Sequence, residues 1–204
     1  IASKSERIII GLMSGTSLDG LDIAVCKIQN HGVDSKLSLL AFVTMPYEEA
    51  FRNQIRDVFA KRTIDQQQLS GLNVSIAQTH AKLIGQALQR WNINAASIDA
   101  IASHGQTVYH APQSLTGDRN TPNSTLQIGD GDHIAVTTGI ITISDFRQKH
   151  LAAGGEGAPL AAYGDFLLFT DKIENRFLLN IGGIANFTFL PHQESAQQAY
   201  ATDL

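Results

Sequence analysis

Apolar residues in the first 45 positions form three short runs separated by polar turns, a pattern typical of β-strands. Three strands are therefore predicted, over residues 8–13, 21–28 and 37–44. Pro46 opens a short amphipathic helix that reaches Phe59, and Thr63 caps a longer one whose apolar stripe ends at Trp91. Gly71 and Gly85 lie inside the longer stripe and predict a point where that helix could break.

Beyond Trp91 the pattern alternates between strands, helices and loops. We expect a strand over 98–103 that ends at His104, a loop over 111–124 and a glycine-rich hinge or ligand loop over 152–159. Helices are predicted over 130–138 and 160–169, and strands over 139–144, 177–181, 184–190 and 199–203. The return to three strands indicates an α/β protein with two similar halves, the second only begun.

Composition narrows the class of protein. The 204 residues are 43% hydrophobic and 17% charged, with a net charge of −4, so nothing favours binding to nucleic acid or an anionic membrane. The single cysteine, Cys26, excludes a disulfide framework within the chain, and the apolar runs are too short to cross a bilayer. The polar start predicts a cytoplasmic protein. Because the chain starts at Ile1 and stops just after a predicted strand, we expect a fragment.

The clearest chemical signal is the turn at residues 14–22, between the first two predicted strands. Its glycines, serines and threonine offer backbone N–H groups and hydroxyls that suit a phosphate. Asp19 and Asp22 could hold Mg²⁺ directly or through water. The alternative is a plain turn with local hydrogen bonds. The segment matches neither the P-loop nor the dinucleotide fingerprint.

Two further segments carry candidate ligand contacts. His104 and Gln106 lie where the predicted strand meets a loop, and the amide of Gln106 can bind a sugar by donating and accepting together. The alternative for His104 is a structural histidine. Arg147 follows a strand and precedes the glycine loop, so either an anion contact or a surface ion pair fits it.

Carboxylates at two other positions allow competing interpretations. Asp130 and Asp132 form the Asp-x-Asp pattern of metal-dependent glycosyltransferases, but a helix follows, which favours an N-cap. Residues 179–186 repeat the strand, glycine turn and strand of the first motif, or form an ordinary hairpin. Asp203, near the end of the third strand of the second half, is a candidate general base.

Together these segments resemble the anhydro-N-acetylmuramic acid kinases. The matching pieces are GLMSGTSLDGLD at 11–22, SHGQT at 103–107, QIG at 127–129, DFR at 145–147, AAGGEGAPL at 152–160 and LNIGG at 179–183. The resemblance implies an actin/hexokinase-like (ribonuclease H-like) fold with a mixed sheet flanked by helices. It implies an N-terminal ATPase-type domain over 1–150, then a crossover helix and the first strands of a second, incomplete domain over 151–204.

The same resemblance implies a kinase that opens the internal bond of 1,6-anhydro-N-acetylmuramic acid and phosphorylates the sugar from ATP, in peptidoglycan recycling. Asp203 would be the catalytic base, Asp19 would bind Mg²⁺, and the sugar would contact His104, Gln106, Arg147 and Glu156. The residues implied to bind ATP are Gly15, Thr16, Ser17, Leu18, Asp19, Gly20, Leu21 and Asp22. Sugar and ATP would be the partners, with a homodimer left open.

Three departures from the family pattern stand out. His150 stands where the family usually has Asp, and Glu156 where it usually has Gln, so a charged Glu156 would repel the carboxylate of the sugar unless it points away. The Gly-Pro-Gly-Asn segment of the family lies beyond Leu204. We therefore expect residues 1–204 to be inactive or nearly so on their own. A non-catalytic sugar- or nucleotide-binding relative is the alternative.

Overall fold

The computed structural model describes residues 1, 3–181, 185–192 and 199–203. Two compact units make up the chain. The first comprises residues 1–28 and 38–157, and the second comprises residues 29–37 and 158–204. The domain boundary expected at residue 150 stays a prediction.

A mixed β-sheet forms the centre of the first unit. Its strands are β1 (Glu6–Ser14), β2 (Gly20–Gln29), β3 (Lys36–Pro46), β4 (Ala100–Ala111), β5 (Ser124–Ile128) and β6 (Thr142–Ile143). They lie in the order β3-β2-β1-β4-β5, and β6 also pairs with β4. The pairings β1–β4 and β4–β6 are parallel, whereas β4–β5 is antiparallel. The sheet combines both strand directions, as the resemblance implied.

The helices of this unit differ from the predictions mainly at their ends. They are α1 (Glu49–Arg56), α2 (Gln66–Trp91), α3 (Gln113–Thr116), α4 (Gly131–Thr138) and α5 (Phe146–Ala152), with a 3₁₀ turn at Ala95–Ser97. Another 3₁₀ turn, Gly32–Asp34, belongs to the second unit. The predicted cap at Thr63 is wrong, because the carboxylate of Asp65 accepts the backbone N–H of Gln68 at 2.8 Å. The first helix ends at Arg56 rather than Phe59, and α2 continues without a break.

The second difference concerns the strand that was expected to end at Ser103. β4 continues to Ala111, so His104 and Gln106 lie within a strand and not at the start of a loop. The antiparallel neighbour β5, which sequence analysis missed, pairs with this continuation. In the pairing with β1, Ser103 lies opposite Leu12 and Gln106 lies opposite Ser14. One residue separates the two positions on β1 and two residues separate them on β4, so β4 contains one extra residue. This β-bulge redirects the side chains next to it.

The third difference follows the short strand β6, which was expected to span 139–144. A helix that was not predicted, α5, places Arg147 and His150 on consecutive turns ahead of the glycine loop. Its N-cap residue is Asp145, whose positive φ of 60° is a conformation that Asp tolerates better than most residues. The helix gives the DFR segment a defined position.

Two buried clusters connect α2 to the sheet. The first includes Ile10, Leu21 and Ile23 of the strands with Ile84 of α2. The second includes Leu18, Ile55, Val58, Leu72, Ile76, Val108 and Ile128. Leu18 and Leu21 flank the turn between β1 and β2, so the turn is anchored from inside by burial of apolar surface.

In the second unit, a helix accompanies an antiparallel sheet. Its elements are α6 (Ala162–Phe169), β7 (Arg176–Ile181), β8 (Ala185–Leu190) and β9 (Tyr200–Asp203), with the strands in the order β7-β8-β9. The hydroxyl of Thr188 on β8 donates to the carboxylate of Asp165 on α6 at 2.7 Å. The predicted glycine turn at 182–183 and Ile184 lie outside the described residues.

The expected fold class is confirmed: this is an α/β protein with a mixed sheet flanked by helices. Among the described residues, no helix combines the length and apolar character needed to span a membrane.

Candidate functional site

The turn between β1 and β2 has two exposed residues at its centre. The carbonyl of Gly15 accepts the N–H of Leu18 at 3.2 Å, which closes a four-residue turn with Thr16 and Ser17 at its centre. Both central residues are exposed, and no described residue accepts a hydrogen bond from their N–H groups. Leu18 is 4% exposed, with a positive φ of 57°. This arrangement leaves two N–H groups available to an anion.

Asp19 lies at the exposed end of the same turn. Its carboxylate accepts the hydroxyl of Ser17 at 2.6 Å, and this hydrogen bond lowers the pKa of Asp19 below its usual value. Asp22 accepts the hydroxyl of Thr44 at 2.5 Å. No cluster of three metal-ligating side chains occurs in the part of the chain that the structure describes. A single ionised carboxylate fits Mg²⁺ if water and phosphate complete its coordination.

The two remaining turn residues implied to bind ATP, Gly20 and Leu21, are buried. A side chain at position 20 would collide with the backbone carbonyl of Met45 on β3. The N–H of Tyr47 donates to the carbonyl of Asp19 at 3.1 Å, which also ties the turn to the end of β3. Gly20 and Leu21 therefore fix the position of the turn on the sheet.

Gln106, which the sequence assigned to the sugar, is fully buried beneath the turn. Its Oε1 accepts the hydroxyl of Ser14 at 2.5 Å, and its Nε2 donates to the carbonyls of Thr107 at 3.1 Å and Gly15 at 3.4 Å. Ser14 also contacts the hydroxyl of Tyr47 at 2.8 Å. The role of Gln106 in sugar binding stays a prediction, while its observed contacts support the turn.

His104 and Arg147 lie together, as the family resemblance implied for residues of one site. Arg147 Nε donates to His104 Nε2 at 3.0 Å, and His104 Nδ1 lies 3.0 Å from the carbonyl of Gly105. Burial, with the charge of Arg147 as a second cause, lowers the pKa of His104. The imidazole is therefore neutral, with its proton on Nδ1.

Both backbone groups of Gly157 are bound by α5. Arg147 Nη1 donates to its carbonyl at 2.6 Å, and its N–H donates to His150 Nδ1 at 3.1 Å. An Asp at position 150, as in the family pattern, could accept the same N–H through a carboxylate oxygen. The departure at His150 thus preserves an acceptor for the glycine loop.

Glu156 points towards α3. One carboxylate oxygen accepts the hydroxyl of Ser114 at 2.8 Å and the other accepts its N–H at 3.3 Å. Both carboxylate oxygens thus have partners within the protein, while the expected role of Glu156 beside the sugar stays a prediction.

A cavity of about 470 Å³ opens beside His104 in the first unit. It is lined by His104, by Asp130 and Asp132 at the start of α4, and by Asp145, among others; residues 15–22 and Arg147 are not part of its wall. Asp130 accepts the N–H of Asp132 at 2.8 Å, which confirms the N-cap interpretation of the Asp-x-Asp pattern. Burial raises the pKa of Asp145.

Asp203, the predicted base, lies in β9 opposite Asn186 of β8. It belongs to the second unit, whereas all the other predicted site residues belong to the first. Its catalytic role stays a prediction.

Tyr47, His80 and Ser114 were not among the residues predicted from the sequence. His80 is 1% exposed on α2, and its Nε2 lies 2.8 Å from the hydroxyl of Tyr47. The available signal was helical spacing, because His80 falls midway between Ile76 and Ile84 on the apolar stripe. No pattern in the sequence connects Ser114 with Glu156.

Comparison with known proteins gives the family. The family model for anhydro-N-acetylmuramic acid kinase matches residues 7–203. Proteins named anhydro-N-acetylmuramic acid kinase are 58% identical in Pseudoalteromonas atlantica, 53% in Pseudoalteromonas translucida and 40% in Caldanaerobacter subterraneus. Each alignment covers 100% of this chain and 51% of the relative, so the chain spans about half the length of these curated relatives. On this match, the chain belongs to the anhydro-N-acetylmuramic acid kinase family.

Proposed function

We propose that the protein containing this chain is an ATP-dependent kinase that opens 1,6-anhydro-N-acetylmuramic acid and yields N-acetylmuramic acid 6-phosphate. The observation that carries the proposal is the turn at residues 15–18, where Thr16 and Ser17 are exposed and no described residue accepts a hydrogen bond from their N–H groups. The activity for which the relatives are named supplies the substrate class.

The turn binds the phosphates of ATP through these backbone donors. Backbone N–H groups already fixed by the fold stabilise charge on a phosphoryl group without reorganising during the reaction. Gly15, Gly20 and Leu21 act through the backbone, since Leu21 is buried in the core and a side chain at position 20 would collide with Met45.

Asp19 is the residue that would hold Mg²⁺, because its carboxylate is exposed and its pKa is lowered. When bound, the ion would neutralise charge on the phosphate oxygens. One or two carboxylates with several waters are a sufficient protein contribution for this ion.

Asp203 is the general base in this proposal. It accepts a proton from the water that attacks the anomeric carbon, and the bond between that carbon and the 6-oxygen breaks. The released 6-oxygen forms a bond to the γ-phosphorus, and the bond from that phosphorus to ADP breaks. Water thus supplies the new anomeric hydroxyl, and ATP supplies the phosphoryl group.

The sugar is bound by Arg147, with His104 and Glu156 beside it. Arg147 is oriented by its hydrogen bonds to His104 and Gly157, so its guanidinium has a fixed direction for an anionic group such as the lactyl carboxylate. We place the reaction in the cytoplasm, within peptidoglycan recycling.

The test is a coupled ADP-release assay on the intact protein with the anhydro-sugar and ATP, with mass spectrometry of the product. We expect ADP release and a product heavier than the sugar by one water and one phosphoryl group. Asp203→Asn should lower kcat by about 10²- to 10⁴-fold, whereas the control Asp57→Asn, an exposed residue at the end of α1, should not.

A wild-type protein that binds the sugar or ATP but releases no ADP would contradict the kinase and favour the non-catalytic relative. The expected inactivity of residues 1–204 alone stays a prediction, which the same assay on that chain checks.

A further inference from the structure

Four buried polar side chains form one continuous chain of hydrogen bonds from the middle of α2 to the turn at residues 15–18. His80 Nε2 lies 2.8 Å from Tyr47 Oη, which lies 2.8 Å from Ser14 Oγ, which lies 2.5 Å from Gln106 Oε1. His80 and Ser14 are 1% exposed and Gln106 is 0% exposed. Burial of a polar side chain costs free energy unless the side chain is hydrogen-bonded, so these four residues stabilise the fold only as a connected set.

The direction of every link follows from Gln106. Its Nε2 faces the carbonyls of Gly15 and Thr107, which can only accept, so this atom is the amide nitrogen and the oxygen faces Ser14. Ser14 therefore donates to Gln106. Because the single proton of Ser14 is used there, Tyr47 donates to Ser14.

The same reasoning fixes His80. The proton of Tyr47 is used towards Ser14, so the Nε2–H of His80 donates to the hydroxyl oxygen of Tyr47. Donors thus point in one direction, from α2 towards the turn. No partner for the Nδ1 of His80 occurs among the described residues.

The series of hydrogen bonds ends at the carbonyl of Gly15, which accepts from Gln106 Nε2 and from the N–H of Leu18. In a planar trans peptide, the N–H of the next residue points opposite to the carbonyl. Two donors on the protein side of the Gly15 carbonyl therefore direct the N–H of Thr16 to the solvent side.

We infer that Tyr47 and His80 are positioning residues for nucleotide binding: through Ser14 and Gln106 they fix the peptide that aims the Thr16 N–H at a phosphate of ATP. The inference rests on the proposed function. Neither residue touches the nucleotide, and both act through the orientation of one peptide group.

The test measures ATP binding by calorimetry and the Michaelis constants of the intact protein. Tyr47→Phe removes the hydroxyl and keeps the ring. This ring packs edge-on against Phe51, with 5.0 Å between the two ring centroids. His80→Leu removes the donor, whereas His80→Gln keeps an amide N–H near the position of Nε2. Ile23→Val is the matched control, because it perturbs the same hydrophobic core but removes none of these hydrogen bonds.

We expect Tyr47→Phe and His80→Leu to raise the Kd and KM for ATP about tenfold, with the KM for the sugar unchanged. His80→Gln should restore ATP binding to within about threefold of the wild type. The backbone amide resonance of Thr16 should shift in Tyr47→Phe and not in Ile23→Val. Melting curves identify any variant that fails to fold, and the remaining variants then decide the outcome.

Two results would overturn the inference in different ways. If the wild type binds ATP and folded Tyr47→Phe binds it equally well, or if Ile23→Val weakens ATP binding as much, the positioning role is wrong and the proposed function stands. If the wild type binds no ATP, both are wrong.

Discussion

Arg147 donates from Nε to Nε2 of His104 at 3.0 Å, and this hydrogen bond decides the protonation state of the histidine. A guanidinium has no acceptor, so Nε2 must carry the lone pair, and Nδ1–H donates to the carbonyl of Gly105 at 3.0 Å. Both imidazole nitrogens are then in use. His104 consequently orients Arg147 and is not placed to transfer a proton.

Arg147→Lys should raise the KM for the sugar about tenfold and leave the KM for ATP unchanged. A lysine ammonium lacks the planar fork that lets Arg147 bind His104 and Gly157 together. Steady-state kinetics with each substrate varied in turn provide the measurement. Arg90→Lys, at an exposed position near the end of α2, is the control. An unchanged sugar KM in Arg147→Lys would contradict a role for this side chain in sugar binding.

Two glycine-to-alanine substitutions should act in opposite directions on stability. Gly20→Ala forces a side chain against the backbone carbonyl of Met45, and should lower the free energy of unfolding by about 3 kcal/mol. Gly71→Ala lies in the interior of α2 with nothing near the new methyl group, and should raise it by roughly 0.5–1 kcal/mol. Urea denaturation of both variants measures the difference. Equal stabilities would show that the close approach of β2 to β3 is not tight.

His80 should make the protein less stable in mild acid. Burial lowers its pKa from 6.5 to about 4, so below pH 6.5 the unfolded chain binds a proton that the folded protein does not. Stability from this group is complete above pH 6.5 and is lost as the pH falls towards 4, by about 3 kcal/mol in all.

The measurement compares urea denaturation of the wild type and His80→Gln between pH 7 and pH 4. The carboxylates titrate in both proteins, so the difference between the two curves isolates His80. The difference in free energy of unfolding between the wild type and His80→Gln should change by about 3 kcal/mol over this range. Parallel curves would mean that His80 is accessible to protons in the folded state.

Ser114→Ala should affect sugar binding more than Glu156→Gln. Ser114 bonds both carboxylate oxygens of Glu156, so removing the charge in Glu156→Gln should change the sugar KM by less than about fivefold. Ser114→Ala removes the hydroxyl that donates to one carboxylate oxygen of Glu156, and should raise the KM for the sugar by more than Glu156→Gln does. Kinetics with the sugar varied provide the measurement, with Ser97→Ala as the control. A large fall in KM for Glu156→Gln would instead mean that its charge repels the sugar.

Elements that depend mainly on their own residues could be predicted from the sequence. The strand β1 and the turn after it follow from an apolar run that ends in Ser and Gly, and α2 follows from the spacing of its apolar stripe. The cap of α2 was misplaced because Thr63 and Asp65 are both good N-cap residues and only the fold chooses between them. The extension of β4 was missed because it depends on β5, which begins 13 residues after β4 ends.

The strands around the turn at residues 14–22, its content of backbone donors and the family resemblance could be predicted without the structure, because local periodicity and short motifs carry that information. Only the folded structure shows that Gln106 donates to the Gly15 carbonyl, that Glu156 points to Ser114 and that His80 and Tyr47 are connected to Ser14 by hydrogen bonds. Those contacts join residues 33 to 91 positions apart. Such partners are selected by packing of the whole core, which no local pattern encodes.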